Sequence, residues 1–185
     1  MRTFDPKELE TNVFHQILLG SVVPRPIALA STVDADGVVN LSPFSFFNCF
    51  SANPPILVFS PARRVRNNTT KHTLENILET KQVVINIVNY PMVEQTSLSS
   101  VEFEKGVNEF VKSGLTPVAS ERITPPRVKE SPVAFECRVN DVITLGDEGG
   151  AGHLVICEVL LAHIDETIQK ISCQKIRFRR RSKKR

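Results

Sequence analysis

Between residues 31 and 60 the chain concentrates small hydroxyl and amide side chains: Ser31, Thr32, Asn40, Ser42, Ser45, Asn48 and Ser60. Phe44, Phe46, Phe47 and Phe50 are interleaved among them. Apolar rings that wall a slot, with hydroxyls and backbone amides at its rim, suit a flat heteroaromatic ligand with polar edges. The same mixture suits a barrel corner, where Ser and Asn satisfy turns and the rings fill a core. Composition alone leaves both readings open. Just downstream, Arg63, Arg64, Arg66 and Lys71 precede or begin an expected helix. Free N–H groups and the macrodipole draw anions to a helix N-terminus, and nearby cations strengthen that pull, so a phosphate could be held there. A solvated basic loop is the alternative.

Other chemistries lack their residues. No G-x-G-x-x-G follows a strand, no Walker lysine follows a glycine-rich loop, and H-E-x-x-H and G-x-S-x-G are missing. His15, His72, His153 and His163 are scattered without metal-ligand spacing, so hydrogen-bonded structural roles are expected of them. Cys49, Cys137, Cys157 and Cys173 form no C-x-x-C pair and read as small buried apolar side chains. Glu102, Glu104, Asp147 and Glu148 fall in polar stretches and read as solvated surface.

The elements that must position the polar-aromatic segment are mostly strands. Asp5, Pro6 and Glu8 make a capping box for a first short helix, and Gly20 closes the helical region. Ile27 to Val33 reads as a strand, Asp34 to Gly37 as a turn, and Val38 to Leu41 as the returning arm. Ile56 to Phe59 is a short apolar strand after Asn53-Pro54-Pro55. Helical spacing of Leu74, Ile77 and Leu78 predicts a helix over Lys71 to Glu79, capped by Thr70 or Thr73. Gln82 to Val88, Val133 to Leu145 and His153 to Ile164 read as further strands, with a helix from Glu104 to Lys112 stopped by Gly114. Many short strands, scattered helices and 12 prolines predict a mainly β protein, a small closed barrel with short helical additions.

The chain has 185 residues, enough for one domain with a sizeable core. The formal net charge of +3 hides an asymmetry: residues 167–185 hold 9 basic residues and no acid, leaving −6 for residues 1–166. The expected organisation is therefore a domain over 1–166 and a basic tail over 167–185. An acidic body that would repel phosphate, and a basic tail without a folded motif, argue against specific nucleic-acid recognition and leave nonspecific attraction of polyanions to the tail as a further reading. No apolar run approaches a membrane span and the N-terminus is too charged for a signal peptide, so cytoplasmic residence is expected.

The segment RPIALASTVDADGVVNLSPFSFFNCFSANPPILVFS resembles the opening half of the flavin reductase-like, FMN-binding split-barrel proteins. The branch containing the reductase component of nitrilotriacetate monooxygenase is the most similar. The likeness continues through KHTLENILETKQVVINIV, GLTPVASERITPPRVKESPVAFECRV and GHLVICEVLLAHID, covering roughly residues 12 to 165. It implies a six-stranded antiparallel Greek-key barrel, a homodimer with flavin near the subunit interface, and hydride transfer from NAD(P)H to flavin for a partner monooxygenase or other acceptor. The implied cofactor is FMN, with FAD as the larger alternative. Carried over by position, Ser31 and Thr32 would lie beside the flavin. Ser45, Phe46, Phe47, Asn48, Cys49 and Phe50 would meet the ring, with Asn40 among the polar contacts. Ser60, Arg63, Lys71 and Thr73 would face the ribityl chain and phosphate, and His153 the nicotinamide side. Relatives carry glycine where Cys157 stands, and the likeness fades after Thr167. That fading motivates a second reading, an FMN-binding carrier, sensor or storage protein without reductase turnover.

Overall fold

A computed structural model describes residues 1–104 and 106–168. Nine strands and four α-helices follow one another: α1 (Thr11–Ser21), β1 (Ala28–Val33), β2 (Val39–Phe44), β3 (Phe47–Ala52), β4 (Pro55–Phe59), α2 (His72–Thr80), β5 (Gln82–Ile87), α3 (Val93–Leu98), α4 (Glu109–Ser113), β6 (Pro117–Val118), β7 (Arg127–Val128), β8 (Val133–Thr144) and β9 (His153–Ile164). Seven strands make one antiparallel sheet in the order β2-β1-β5-β8-β9-β4-β3, and β6 and β7 pair separately.

The sheet is rolled. Phe44, on the strand at one end of that order, sits 5.2 Å (ring centroids) from Phe59, on the strand next to the other end. Buried residues of β1, β2, β4, β5, β8 and β9 share a single core, to which α2 adds Leu74 and Ile77. Cys137 and Cys157 are part of it, and burial pushes the Cys137 thiol up to about 12. The cysteine at 157 therefore sits in the barrel interior as a small apolar residue.

A second cluster, with Leu29, Leu41, Met92 and Phe110, seals the outer face of β1 and β2 beneath α4. Buried polar groups stitch the covering loops to the sheet. Asn86 donates to the Leu29 carbonyl at 3.0 Å and accepts from the Val128 N–H at 2.9 Å. Glu136, fully buried, accepts from the N–H groups of Glu121 (2.8 Å) and Arg122 (2.7 Å) and contacts His163 Nε2 at 2.7 Å. Burial pushes its carboxyl up, but these partners outweigh that and hold it below the usual carboxylate range.

Three expectations need correction. The sheet has seven strands rather than six, the addition being β3. This edge strand exposes Asn48 to Ala52, so it has no buried face to impose a period of two. Neither Thr70 nor Thr73 caps α2. Thr70 bonds Glu75 at 2.6 Å, Thr73 turns inward to Asn40, and Lys71 takes the cap position without a side-chain bond. The helix expected from Glu104 begins only at Glu109, because the Asn108 side chain caps the Phe110 N–H at 3.0 Å; Gly114 ends it at φ 71°.

The Asp34–Gly37 turn forms as expected. The Asp34 carboxylate accepts from the N–H groups of Asp36 and Val38, and Gly37 takes φ 82°. At the N-terminus the expected capping box is partial. Asp5 accepts from the Lys7 N–H at 2.8 Å and heads a single 3-10 turn over residues 6–8.

Candidate functional site

Two cavities flank the corner where β2 turns into β3. The first is a polar cleft of about 280 Å³, lined by Asn40 and Ser42 of β2, Arg64, Lys71, His72 and Thr73 around the start of α2, the stretch Ser99 to Phe103, and Glu109. The second is an apolar pocket of about 410 Å³ whose walls include Ser45, Phe46, Phe47, Asn48, Phe50, Val58, Phe59, Ser60 and Leu154, closed on one side by Leu18 and Val22. A third groove, of about 340 Å³, has Ser100 in common with the cleft and Ser45 in common with the pocket, with Pro43 also in its lining.

The cleft is held by side-chain chemistry. Asn40 donates to Thr73 Oγ1 at 2.9 Å, leaving the Thr73 hydroxyl hydrogen to point elsewhere. The Lys71 ammonium stands 5.2 Å from the centroid of the Phe44 ring. Burial, with Arg64 beside it, pulls the Lys71 pKa below its usual value, while Glu102 works against the fall. Arg64 donates to Thr69 Oγ1 at 3.1 Å and to the Thr70 carbonyl, and pairs with Glu102. At the far wall the buried Glu109 accepts from the Leu41 N–H at 3.1 Å; burial raises its carboxyl pKa.

The pocket is held mainly by backbone and rings. Ser60 donates its N–H to the Phe46 carbonyl at 2.9 Å, fixing the corner against β4. Gly152 closes behind Ser60: a Cβ there would come within 2.5 Å of the Ser60 hydroxyl. Arg25 donates to the Leu19 and Val22 carbonyls and to Ser45 at 3.5 Å, which ties the end of α1 to the rim. His15 meets Phe46 edge-on at 5.9 Å.

The structure thus brings together Asn40, Lys71 and Thr73 in one cavity, and Ser45, Phe46, Phe47, Asn48, Phe50 and Ser60 in the other. Ser31, Thr32, Cys49, Arg63 and His153 line neither. Ser31 and Thr32 are fully buried on β1; Thr32 accepts from Asn76 at 3.1 Å, and the Ser31 hydroxyl has no partner among the described residues. Cys49 is exposed on β3, not buried as its residue type suggested. Arg63 is bound to Asn68 and, through its N–H, to the Ala151 carbonyl at 2.8 Å. His153 is buried, shares a hydrogen bond with Thr144 at 3.2 Å, and has no partner for Nε2 among the described residues. Burial and the nearby Arg63 lower its pKa. Glu102 and Glu109 are cleft residues that the sequence does not mark as sites, whereas Arg64 belongs to the basic cluster expected near a phosphate but not to the residues that the resemblance sets there. No local signal separates Arg64 from its neighbour Arg63, and Glu102 was read as solvated surface.

Among the described residues no group of His, Cys, Asp and Glu is arranged to hold a metal ion, and no helix is long and apolar enough to cross a membrane. A cation-lined cleft and an aromatic-walled pocket on either side of one β corner are the chemistry that a ligand with a phosphate at one end and a flat ring at the other would need.

Several known proteins are similar to this chain over most of its length. An uncharacterized protein of Aquifex aeolicus is 40% identical over 165 residues, covering 89% of this chain and 82% of its own. YwrF of Bacillus subtilis is 31% identical, covering 91% and 82%. Among solved structures, nitrilotriacetate monooxygenase component B from Bacillus cereus superposes with a TM-score of 0.84 at 31% identity, over 90% of this chain and 83% of that one. The 2-nitrobenzoate 2-nitroreductase NbaA of Pseudomonas fluorescens gives 0.79 at 28% identity, over 90% and 78%. Residues 19–179 match the flavin reductase like domain, and the chain belongs to that family.

Proposed function

We propose that this protein binds FMN and passes hydride from NADH or NADPH to it, as the reductase partner of a monooxygenase or of another acceptor. The observation that carries the reading is the pair of cavities flanking one β corner, one lined by cations and one by aromatic rings, in a flavin reductase-like fold. Lys71, Thr73, Arg64 and Asn40 would hold the phosphate and neighbouring hydroxyls, using charge-assisted and neutral hydrogen bonds. Phe46, Phe47 and Phe50 would wall the ring. Ser45, Asn48 and Ser60, with backbone groups of the corner, would meet its polar edge.

Bound flavin supplies the two-electron chemistry. The chain's part is orientation at reacting distances and exclusion of water, so an acid–base pair is not required of it. Backbone N–H groups near the ring's pyrimidine edge would stabilise negative charge developing there.

A homodimer accompanies this reading. Helix α1 has no buried residue, and it leaves Leu18, Val22 and the neighbouring Phe50 exposed beside the pocket mouth. A second copy laid on that face would complete the wall. Sedimentation at assay concentration tests this, with a monomer as the contrary result.

One observation favours a flavin-binding protein without turnover. His153, the residue that the resemblance sets near the nicotinamide, is buried and lines neither cavity. The purified protein, mixed with FMN and then with each reduced nicotinamide, separates the readings. Saturable FMN binding with nicotinamide consumption supports the reductase. Binding without consumption supports the carrier, and no binding overturns both.

A further inference from the structure

Glu102 lies in the connection between α3 and α4, about half exposed, and its carboxylate reaches over the cleft to pair with Arg64 Nε and with Arg66 at 3.3 Å. Arg64 is itself largely buried and spends another N–H group on Thr69 and Thr70. Among the described residues no ion pair includes Lys71 or Glu109, and Glu102 is the acid of this cleft that pairs with cations, shared between Arg64 and Arg66. The Nε–H that Glu102 occupies is the kind of donor that a phosphate oxygen would take.

We propose that Glu102 is a built-in competitor for the phosphate, an internal counter-ion that stands at Arg64 while the cleft is empty and is displaced when a phosphorylated ligand enters. The proposal rests on the cleft being the phosphate site. It adds that the cleft's affinity is set below what its cations alone would give. Glu102 belongs to no helix or strand and its side chain is about half exposed, which leaves it room to turn away from Arg64 into solvent. With the acid gone, a bound phosphate meets Arg64 unopposed; with the acid in place, part of each binding event is spent separating an existing pair. Such tuning suits a flavin that must exchange with solution or a partner.

The experiment is Glu102→Gln, which preserves shape and the ability to accept from Arg64 while removing the charge. Titration should show FMN bound about fivefold more tightly than by the unmodified protein, with riboflavin unchanged. Inorganic pyrophosphate, read by its upward shift of the melting temperature, should stabilise the variant more than the unmodified protein. No gain with FMN or with pyrophosphate, or a loss with either, overturns the proposal and leaves Glu102 as a residue that only orients Arg64. Lys71→Ala, run alongside, keeps the two levels apart. If it weakens FMN and riboflavin equally, the cleft is not the phosphate site of FMN. The pyrophosphate comparison on Glu102→Gln still decides the competitor role.

Discussion

The polar cleft and the apolar pocket lie either side of one β corner, yet they are built in opposite ways. In the cleft several wall residues are committed through their side chains: Asn40 to Thr73, Arg64 to Glu102, Glu109 to the Leu41 N–H. In the pocket the positions are set by the main chain, through Ser60 to Phe46, while rings such as Phe46 and Phe50 remain partly exposed. The first arrangement discriminates by charge and geometry. The second offers area to any flat ring and leaves orientation to the backbone. Affinity for FMN should therefore divide into a part that riboflavin lacks and a part that it shares.

Lys71→Ala should show the largest effect. Losing a hydrogen bond to a charged group costs about 2 kcal/mol, or about 30-fold in FMN affinity, while riboflavin binding changes little. Parallel titrations of the two ligands check this. Phe46→Ala should weaken both ligands alike by about fivefold, the worth of one aromatic contact. A loss confined to FMN would erase the distinction between the regions.

Alkaline pH should act on the cleft alone. Lys71 has a lowered pKa, so its charge is lost below the usual lysine range as pH rises. The charged form is the one that a phosphate favours, so FMN affinity should fall through that window while riboflavin affinity stays flat. The same shift acts oppositely on the free protein. The unfolded chain holds the Lys71 proton more strongly, so this group's contribution to stability rises with pH there. Thermal melts against pH read that sign. The smallest effect concerns Cys49, exposed on β3, which should be alkylated well before the buried Cys137 and Cys157. Peptide mapping gives that order, and FMN affinity should change by less than about twofold, as for other surface changes.

Much of the fold was legible because burial writes period and turns into the sequence. The β1–β2 hairpin, α2, and the β8 and β9 strands all lie close to where pattern and turn residues put them. Strand β3 was missed for a physical reason: at the sheet edge, with nearly every residue exposed, FNCFSA carries no alternation to read. The site was legible in part. Phenylalanines and hydroxyls around Ser45 to Ser60 do gather in one pocket, and Lys71 with Thr73 and Asn40 in one cleft. Which of two adjacent arginines turns inward is decided by the loop back to Thr70, beyond any local pattern. Glu109 and Glu102 reach the cleft from segments distant in sequence, so only the tertiary fold brings them to it. Cys173 and most of the basic tail lie outside the described residues, but the family match runs to residue 179, past the Thr167 at which the likeness was expected to fade.

A crystal structure of the protein with FMN tests the central claim most directly. The account expects the phosphate in the cleft, within hydrogen-bonding distance of Lys71 Nζ and Thr73 Oγ1, and the ring reaching past Ser45 toward Phe46. A phosphate bound instead at Arg63 and Asn68, or a ring lodged in the polar cleft, would contradict it.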